Sequence, residues 1–581
     1  MSRSATMSAA AARRRSAWPL AAAAVALAAA VLAACTASSP PSTTAVHELA
    51  GQGVEEPVPE GEPVIVEGVV TARYLGEEGL DGFFIQDPEP APDGEPSGVF
   101  VYAPELTAQQ RERIAVGRRL RLEGRAGEHR GRRQLEWVAA VEDLGEAEAV
   151  RTAELPWPVA DAERYEGVHV RLTTPLVVTA NDTLARYGTL QLTPQRRAYR
   201  PTNFPPGEGP EDPALADQRL LLDDGSYAGR PDPVPYRDAD GTRRVGTGVA
   251  EPEGILTHAF DAWRLHPTEP PRFIDRNPRP GPLPEPEAGT LRIAAFNVEN
   301  YFLTLGERGA ATEAELERQR AKLLAAAQRL SADILVLVEV ENDDRAPADL
   351  VERLADASGE PWRRAAGGDA GDDAIRVSLA YRADRVEPVT EVVRDARSVH
   401  HRPPPVAGFR PASGGPALAV AGIHFKSKRD CPEAGDVDRG QGCWNERRTE
   451  QAEALAGFID DWRAGQERAL PALIAGDLNA YGAEDPARAL AEAGKVDLLA
   501  EHLPWPERYT YVFQGESGYL DHLHAPPQLA DRVAAVHAYP INADEPRWLE
   551  FDAAREALTA EDAFRSSDHD PVVVDLRLDG S

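Results

Sequence analysis

Ala472-Leu473-Ile474-Ala475-Gly476-Asp477-Leu478-Asn479 is an apolar run that ends in two polar side chains. It reads as a buried strand whose end delivers Asp477 and Asn479 to the rim of a sheet. Two other strings share the arrangement. Leu418-Ala419-Val420-Ala421-Gly422-Ile423 runs into His424-Phe425-Lys426-Ser427-Lys428, and Ser566-Ser567-Asp568-His569-Asp570-Pro571 precedes Val572-Val573-Val574. Polar groups that converge at the edge of a rigid scaffold can support metal-assisted phosphate chemistry.

Outward from these strings, strands alternate with helices. Residues 291–296, 334–338, 377–381, 418–423, 473–475 and 572–576 read as strands. Residues 313–330 have helical spacing, with Leu316, Leu323, Ala327 and Leu330 on one face, and 449–462 form a second amphipathic helix. The pattern predicts an α/β domain over residues 290–581, long enough for an ample core. Polar residues recur at its strand ends: Asn297, Glu339, His424, Asp477, Asn479, Asp521, Asp568 and His569. Capping accounts for one or two such residues, not for the whole set.

Phe296-Asn297-Val298-Glu299-Asn300, Val338-Glu339-Val340-Glu341-Asn342, Gly476-Asp477-Leu478-Asn479, Gly518-Tyr519-Leu520-Asp521-His522 and Ser567-Asp568-His569-Asp570-Pro571 resemble, in order, the motifs of the endonuclease/exonuclease/phosphatase superfamily. Within it, His424-Phe425-Lys426-Ser427-Lys428, Gly440-Gln441-Gly442-Cys443-Trp444-Asn445, Ile541-Asn542-Ala543-Asp544-Glu545-Pro546 and Arg200-Pro201-Thr202 resemble the ExeM-type secreted bacterial nucleases. The resemblance implies a four-layer sandwich of two mixed sheets with helices outside. It also implies phosphodiester hydrolysis by an activated water.

By that resemblance Glu339, Asn297 and Asp568 hold a hard divalent cation, Mg²⁺ first and Mn²⁺ or Ca²⁺ as alternatives. Asp477 and Asn479 position the water, His569 meets the scissile phosphate, and Asp521 and His424 are further acid/base candidates. The base that takes the water's proton stays open between an Asp and a His. Arg402 matches a phosphate-contacting Arg, and Lys426, Lys428 and Arg376 are further phosphate candidates. In one respect the chain departs from the pancreatic-type DNases. Where those carry a carboxylate partner for the residue matching His424, this chain has Ile375, with Asp373 nearby.

Ahead of this domain the chain is β-rich. Residues 64–145 hold several short strands and suggest a small OB-fold-like barrel. Residues 146–274 continue as a second β-rich region, and 275–289, with Pro at every second position from 278 to 286, form a semi-rigid linker. The expected architecture is therefore multidomain, all-β and then α/β. In the first barrel Arg118, Arg119, Arg121, Arg125, Arg130, Arg132 and Arg133 face only Glu123 and Glu128. That excess reads either as a hairpin for a nucleic-acid backbone or as a solvated face.

The N-terminus is a targeting segment. Arg13-Arg14-Arg15 precedes an alanine-rich apolar stretch, and Leu32-Ala33-Ala34-Cys35 resembles a bacterial lipobox. Residues 1–35 then form the signal, Cys35 carries the lipid, and 36–63 are a flexible tether. An ordinary secretory signal is the alternative. Export also suits the cysteines. With Cys35 lipidated, Cys431 and Cys443 remain as one disulfide pair, the rival being a soft-metal site that lacks further ligands.

The net charge is −32, so bulk electrostatics repel nucleic acid and anionic membranes. A polyanion must be held by a local basic patch or by bound cations. Lysine occurs at only 322, 426, 428 and 495, so the pair beside His424 stands out. The expected function is a metal-dependent nuclease acting on extracellular DNA or RNA, anchored in the membrane by its N-terminal lipid or secreted, with no protein partner implied. A phosphatase or phospholipase-C-like phosphodiesterase is the second reading. A non-catalytic nucleic-acid-binding lipoprotein is the third.

Overall fold

The structure is a computed structural model that describes residues 43–578 apart from 77, 212 and 554–557. The signal segment, Cys35 and residues 36–42 lie outside the described residues. Among the described residues no helix is long and apolar enough to cross a membrane.

The first unit is a closed barrel of β1 (Pro63–Tyr74), β2 (Gly82–Gln86), β3 (Gly98–Tyr102), β4 (Arg118–His129) and β5 (Arg132–Glu146), in the order β1-β2-β3-β5-β4. Alternating apolar residues such as Val66, Phe83, Ile85, Leu120, Leu122 and Leu135 fill it. The expected free tether ends earlier than residue 63. Helix Val46–Ala50 buries Val46 and Leu49 in the barrel core, because this stretch carries two apolar side chains one turn apart.

The arginine-rich hairpin is partly paired within the barrel. β4 is flanked by β1 and β5, and both present carboxylates to it. Arg118 forks onto Asp143 at 3.0 and 2.6 Å, and Arg119 and Arg121 share Glu67. Arg125 donates to the Gly61 carbonyl and Arg133 to the Leu49 carbonyl. Arg130 and Arg132 lie over the rings of Phe260 and Phe100. Three of the seven arginines are thus paired with carboxylates, and the other four meet only neutral carbonyls, an amide or rings.

A nine-stranded sheet follows between Ala153 and Ile274. The segment around residues 198–203 docks onto the α/β unit. Ala198–Tyr199 adds in parallel to Glu516–Gly518, Asn203 accepts from Tyr519 N, and the Thr202 hydroxyl donates to Glu484.

The α/β unit has two sheets packed face to face. One, of six strands, contains Thr290–Tyr301, Ile334–Glu341, Ile375–Arg382 and Val572–Arg577. The other, of seven, contains Leu418–His424, Ala472–Asp477 and Asp521–Ala525. Ile293, Val336, Val377 and Val574 meet Val420, Leu473 and Leu523 between them. Helices Glu313–Leu330 and Arg345–Ser358 cover the outer face of the first sheet, and Asn445–Ala464 and Asp485–Glu492 that of the second. Gly422 marks how closely the sheets approach. A Cβ there would lie 2.7 Å from a Val377 methyl and 2.9 Å from a Val336 methyl.

The units meet on two adjacent buried carboxylates. Asp544 takes Arg197 at 3.0 Å, the Tyr509 hydroxyl at 2.8 Å and Asn277 at 2.6 Å. Glu545 takes Arg244, both donors of Arg279 at 2.9 Å, and the Thr242 hydroxyl. Arg197 and Arg244 come from the middle β unit, and Asn277 and Arg279 from the linker. Burial opposes charge on Asp544, but the two arginines outweigh it and hold the carboxyl below its usual range. Asp544→Ala would leave Arg197 without its counter-charge, Arg244 keeping Glu545, and we expect a loss of about 3–5 kcal/mol, read as a lowered urea midpoint. An unchanged midpoint would show that the junction carries no stability.

Candidate active site

Register alone brings half of the site together. In the second sheet Leu418–His424 and Ala472–Asp477 run parallel with His424 opposite Asp477, and Asp521–Ala525 runs antiparallel with Asp521 opposite Asp477. Three neighbouring strands thus set His424, Asp477 and Asp521 side by side. Gly476 permits this, since its φ is +134° and a Cβ there would meet the Ile423 carbonyl oxygen at 2.3 Å. In the first sheet Asn297 lies opposite Val338, next to Glu339, and the loop entering Val572–Arg577 supplies Asp568 and His569.

The two sets touch. Asn297 Nδ2 is 3.3 Å from Asp477 Oδ2. His424 Nε2 lies 3.6 Å from Glu339 Oε1 and 3.5 Å from Asp477 Oδ2. Asn479 donates to Asp477 Oδ2 and to the Phe425 carbonyl, both at 3.2 Å, and its own N–H donates to Asp477 Oδ1 at 2.7 Å. His569 Nδ1 sits 2.8 Å from Asp521 Oδ2, which also accepts from the Thr510 hydroxyl. Glu339, His424, Asp477, Asn479, Asp568 and His569 line a cleft of about 550 Å³.

Backbone strain collects here. Glu299, Asn300, Glu339, Asn479 and Arg565, all lining the cleft, have φ between +51° and +66°. A non-glycine residue in the left-handed region costs on the order of 1–3 kcal/mol and persists only where its surroundings impose it.

The electrostatics separate the titratable groups. Burial pushes Asp477 up to about 7, with Asp521 adding to the effect and His569 opposing it. Burial and Asp568 likewise raise Glu339 and, further, Glu299, whose Oε2 is buried without a hydrogen-bond partner. Burial opposes charge on His569, but Asp521 and Asp568 outweigh it and raise its pKa well above the usual histidine value. His424 goes the other way, since burial and then Arg402 drive its pKa far down.

This donor set fits a divalent cation. Glu339, Glu299, Asp568 and the Asn297 amide offer hard oxygen, and the raised carboxyl pKa values mark negative charge that the surrounding protein leaves uncompensated. Two histidine-containing groups that could hold an ion lie beside this set: Glu339, His424 and Asp477, which shares Glu339 with it, and Asp477, Asp521 and His569.

Several expected phosphate contacts change. Arg402 does line the cleft, with Nη1 2.9 Å from the His424 ring nitrogens and Nη2 donating to the Phe425 carbonyl. Asp373 neighbours Arg402 at 3.9 Å and does not replace the missing acid partner of His424. His424 is therefore held neutral beside a guanidinium. Lys428 borders the cleft, but its ammonium is bound by Glu484 at 2.6 Å and by the Gln441 carbonyl. Lys426 turns over the Trp444 ring, and Arg376 is held by the Asp343 carbonyl, so neither lines the cleft.

Other residues belong to the site and carried little signal of their own. Glu299 and Asn300 sit inside a quoted motif, two and three positions after Asn297. Tyr511 stacks on His569 at 4.6 Å, and Arg308, Arg547, Arg565 and Arg200 line the walls. Asn542 holds the His569 loop, donating to the His569 carbonyl at 2.7 Å and accepting from Ser566 N at 2.8 Å. Cys431 and Cys443 are disulfide-bonded at the rim, with Cα atoms 5.4 Å apart.

Residues 294–569 match the model of the Endonuclease/Exonuclease/phosphatase family. This segment is a domain of that family. Among solved structures, a family member from Bacteroides thetaiotaomicron is 17% identical, with 49% of this chain and 97% of that one covered and a TM-score of 0.34. A mannosyl-6-phosphatase from the same organism is 16% identical over 49% of this chain and 98% of its own, with a TM-score of 0.34. D. rerio TDP2 complexed with single strand DNA product is 16% identical over the same shares, with a TM-score of 0.32. These likenesses say nothing about substrate. No curated protein sequence matches the chain.

If Asp521 holds His569 as imidazolium, Asp521→Asn must lower the pKa of that ring. An NMR titration of His569 is expected to move toward ordinary histidine values in the variant. An unmoved titration would remove Asp521 as its partner.

Proposed function

We propose that the protein is a divalent-metal-dependent phosphodiesterase that cleaves extracellular DNA or RNA, exported and anchored through Cys35 or secreted. The observation that carries this reading is the meeting, at the facing strand ends of two sheets, of a buried carboxylate set with an Asp521–His569 pair in one cleft. Behind it stand an OB-fold-like reading of the five-stranded barrel and a four-layer reading of the α/β unit.

The residues divide the work. Asp477, with its pKa near neutrality, accepts the proton of the attacking water, which Asn479 and Asp477 together orient. His569, held as imidazolium, cannot act as that base. It donates to a phosphate oxygen as charge builds in the transition state. Neutral His424 keeps Arg402 aimed into the cleft. A Mg²⁺-type cation held by Glu339, Asn297 and Asp568, with Glu299 beside them, would supply Lewis-acid stabilisation of the phosphate.

A polymer is favoured by the walls. Arg200, Arg308, Arg402, Arg429, Arg547 and Arg565 line one cleft of a chain whose net charge is −32; Arg200 is paired with Glu516 and Arg547 and Arg565 with Glu550, while Arg308, Arg402 and Arg429 have no carboxylate so close among the described residues. A phosphate backbone running past the scissile bond would meet several of them, whereas a small phosphomonoester would not.

The test is cleavage of closed-circular plasmid, single-stranded RNA and a lipid phosphodiester, each with Mg²⁺ and with excess chelator. Mg²⁺-dependent nicking, lost in chelator and lowered roughly 100-fold or more by Glu339→Ala, is the expected result. Turnover of the lipid substrate alone would overturn the substrate. Full turnover in chelator would overturn the metal. Raising monovalent salt should weaken polymer binding, and a flat response would count against phosphate contacts.

A further inference from the structure

On the strand Asp521–Ala525, Leu523 and Ala525 point into the core between the sheets. By alternation His522 and His524 share the opposite face. Both are buried, at 0% and 1% exposure, and their rings stack with an interplanar angle of 10°. Asp497 pairs with His524 in register from the short neighbouring strand. The potential ligand atoms of Asp497, His522 and His524 all lie within 4.8 Å of one another.

We propose that Asp497, His522 and His524 form a structural transition-metal site of the Zn²⁺ class, separate from the cation site of the cleft.

The surrounding hydrogen bonds orient these ligands. His522 Nε2 lies 2.8 Å from the Ala480 carbonyl oxygen, an acceptor, so Nε2 carries the hydrogen and Nδ1 presents its lone pair to the cluster. A metal-ligating histidine is held in this way through its other ring nitrogen. Asp497 Oδ1 caps helix Leu498–His502 by accepting from Leu499 N and Ala500 N. Oδ2 is thereby left toward the histidines, 3.8 Å from His522 Nδ1 and 3.0 Å from the Tyr519 hydroxyl.

Hydrogen bonding alone accounts poorly for His524. Its Nε2 is 3.3 Å from His522 Nδ1, beyond the usual range of about 2.7–3.2 Å. A Zn–N bond of about 2.0–2.1 Å, however, makes the edge of a tetrahedron roughly 3.3 Å long. The two facing nitrogens are at that spacing. Two imidazoles and one carboxylate suit a borderline ion rather than Mg²⁺, and the Tyr519 hydroxyl or a water completes the set.

Such an ion would brace the active site from behind. His522 follows Asp521, the partner of His569, and its Nε2 holds the carbonyl of Ala480, the residue after Asn479. The ion would also tie that strand to the start of helix Leu498–His502.

The experiment uses the full chain, stripped with chelator and reloaded with Zn²⁺ or Co²⁺ in the presence of excess Mg²⁺. Bound metal is counted by mass spectrometry, and Co²⁺ is read by its visible absorption. Wild type is expected to retain one more tightly bound equivalent than His524→Leu, together with a tetrahedral Co²⁺ spectrum that the variant lacks. Equal stoichiometry and equal spectra would overturn the site. Should His524→Leu fail to fold, anomalous diffraction from Zn²⁺-soaked wild-type crystals decides. A peak among residues 497, 522 and 524 is expected, and metal confined to the cleft overturns the proposal.

Discussion

Everything in the cleft depends on the face-to-face packing of two apolar sheet surfaces. Val336 and Val377 of one sheet come so close to Gly422 of the other that no side chain fits between them. A slip of one residue would turn each strand's core face outward, so the register is fixed by burial. Once it is fixed, the strand ends are level and the polar residues beyond the apolar runs have nowhere to go but toward each other. The floor of the cleft is a by-product of how the core packs.

That convergence creates an electrostatic problem which the site turns to use. Carboxylates crowded away from water resist ionisation, which raises Glu299, Glu339 and Asp477. The same negative surroundings favour charge on His569, while Arg402 beside His424 disfavours it there. The two histidines of one cleft are thus shifted in opposite directions, because burial acts with Arg402 at His424 but is outweighed by Asp521 and Asp568 at His569. The left-handed conformations of Glu339 and Asn479 are held by the same packing and aim these side chains inward.

Charge elsewhere is largely spent on assembly. Arg118, Arg119 and Arg121 of the barrel hairpin answer Glu67 and Asp143, and Arg197, Arg244 and Arg279 converge on Asp544 and Glu545. The second cluster matters to the site because it is next to Asn542, which holds the His569 loop. The middle unit also sends Arg200 into the cleft, where it pairs with Glu516. The leading β units therefore help build the cleft wall.

The strand ends were legible in the sequence. An apolar run followed by Asp-x-Asn or His says that a buried strand is delivering a polar group, which marked His424, Asp477 and Asn479; apolar runs also end at Asn297 and Glu339, while Asp521 and His569 stood out through the motifs that resemble the superfamily. It does so because alternation and burial are local properties of the chain. The fate of the lysines and arginines was not legible. Lys428 is matched by Glu484, and Arg118, Arg119 and Arg121 by Glu67 and Asp143, residues distant in sequence, and a charge count over a short window cannot see a partner on another strand. Protonation was hidden for the same reason, since Asp477 and His569 owe their shifts to burial and to neighbours brought in by folding. The sequence by itself determined which residues stand at the ends of strands. Only the tertiary structure decided which of them face one another, because that depends on long-range register and on counter-charges that no local pattern contains.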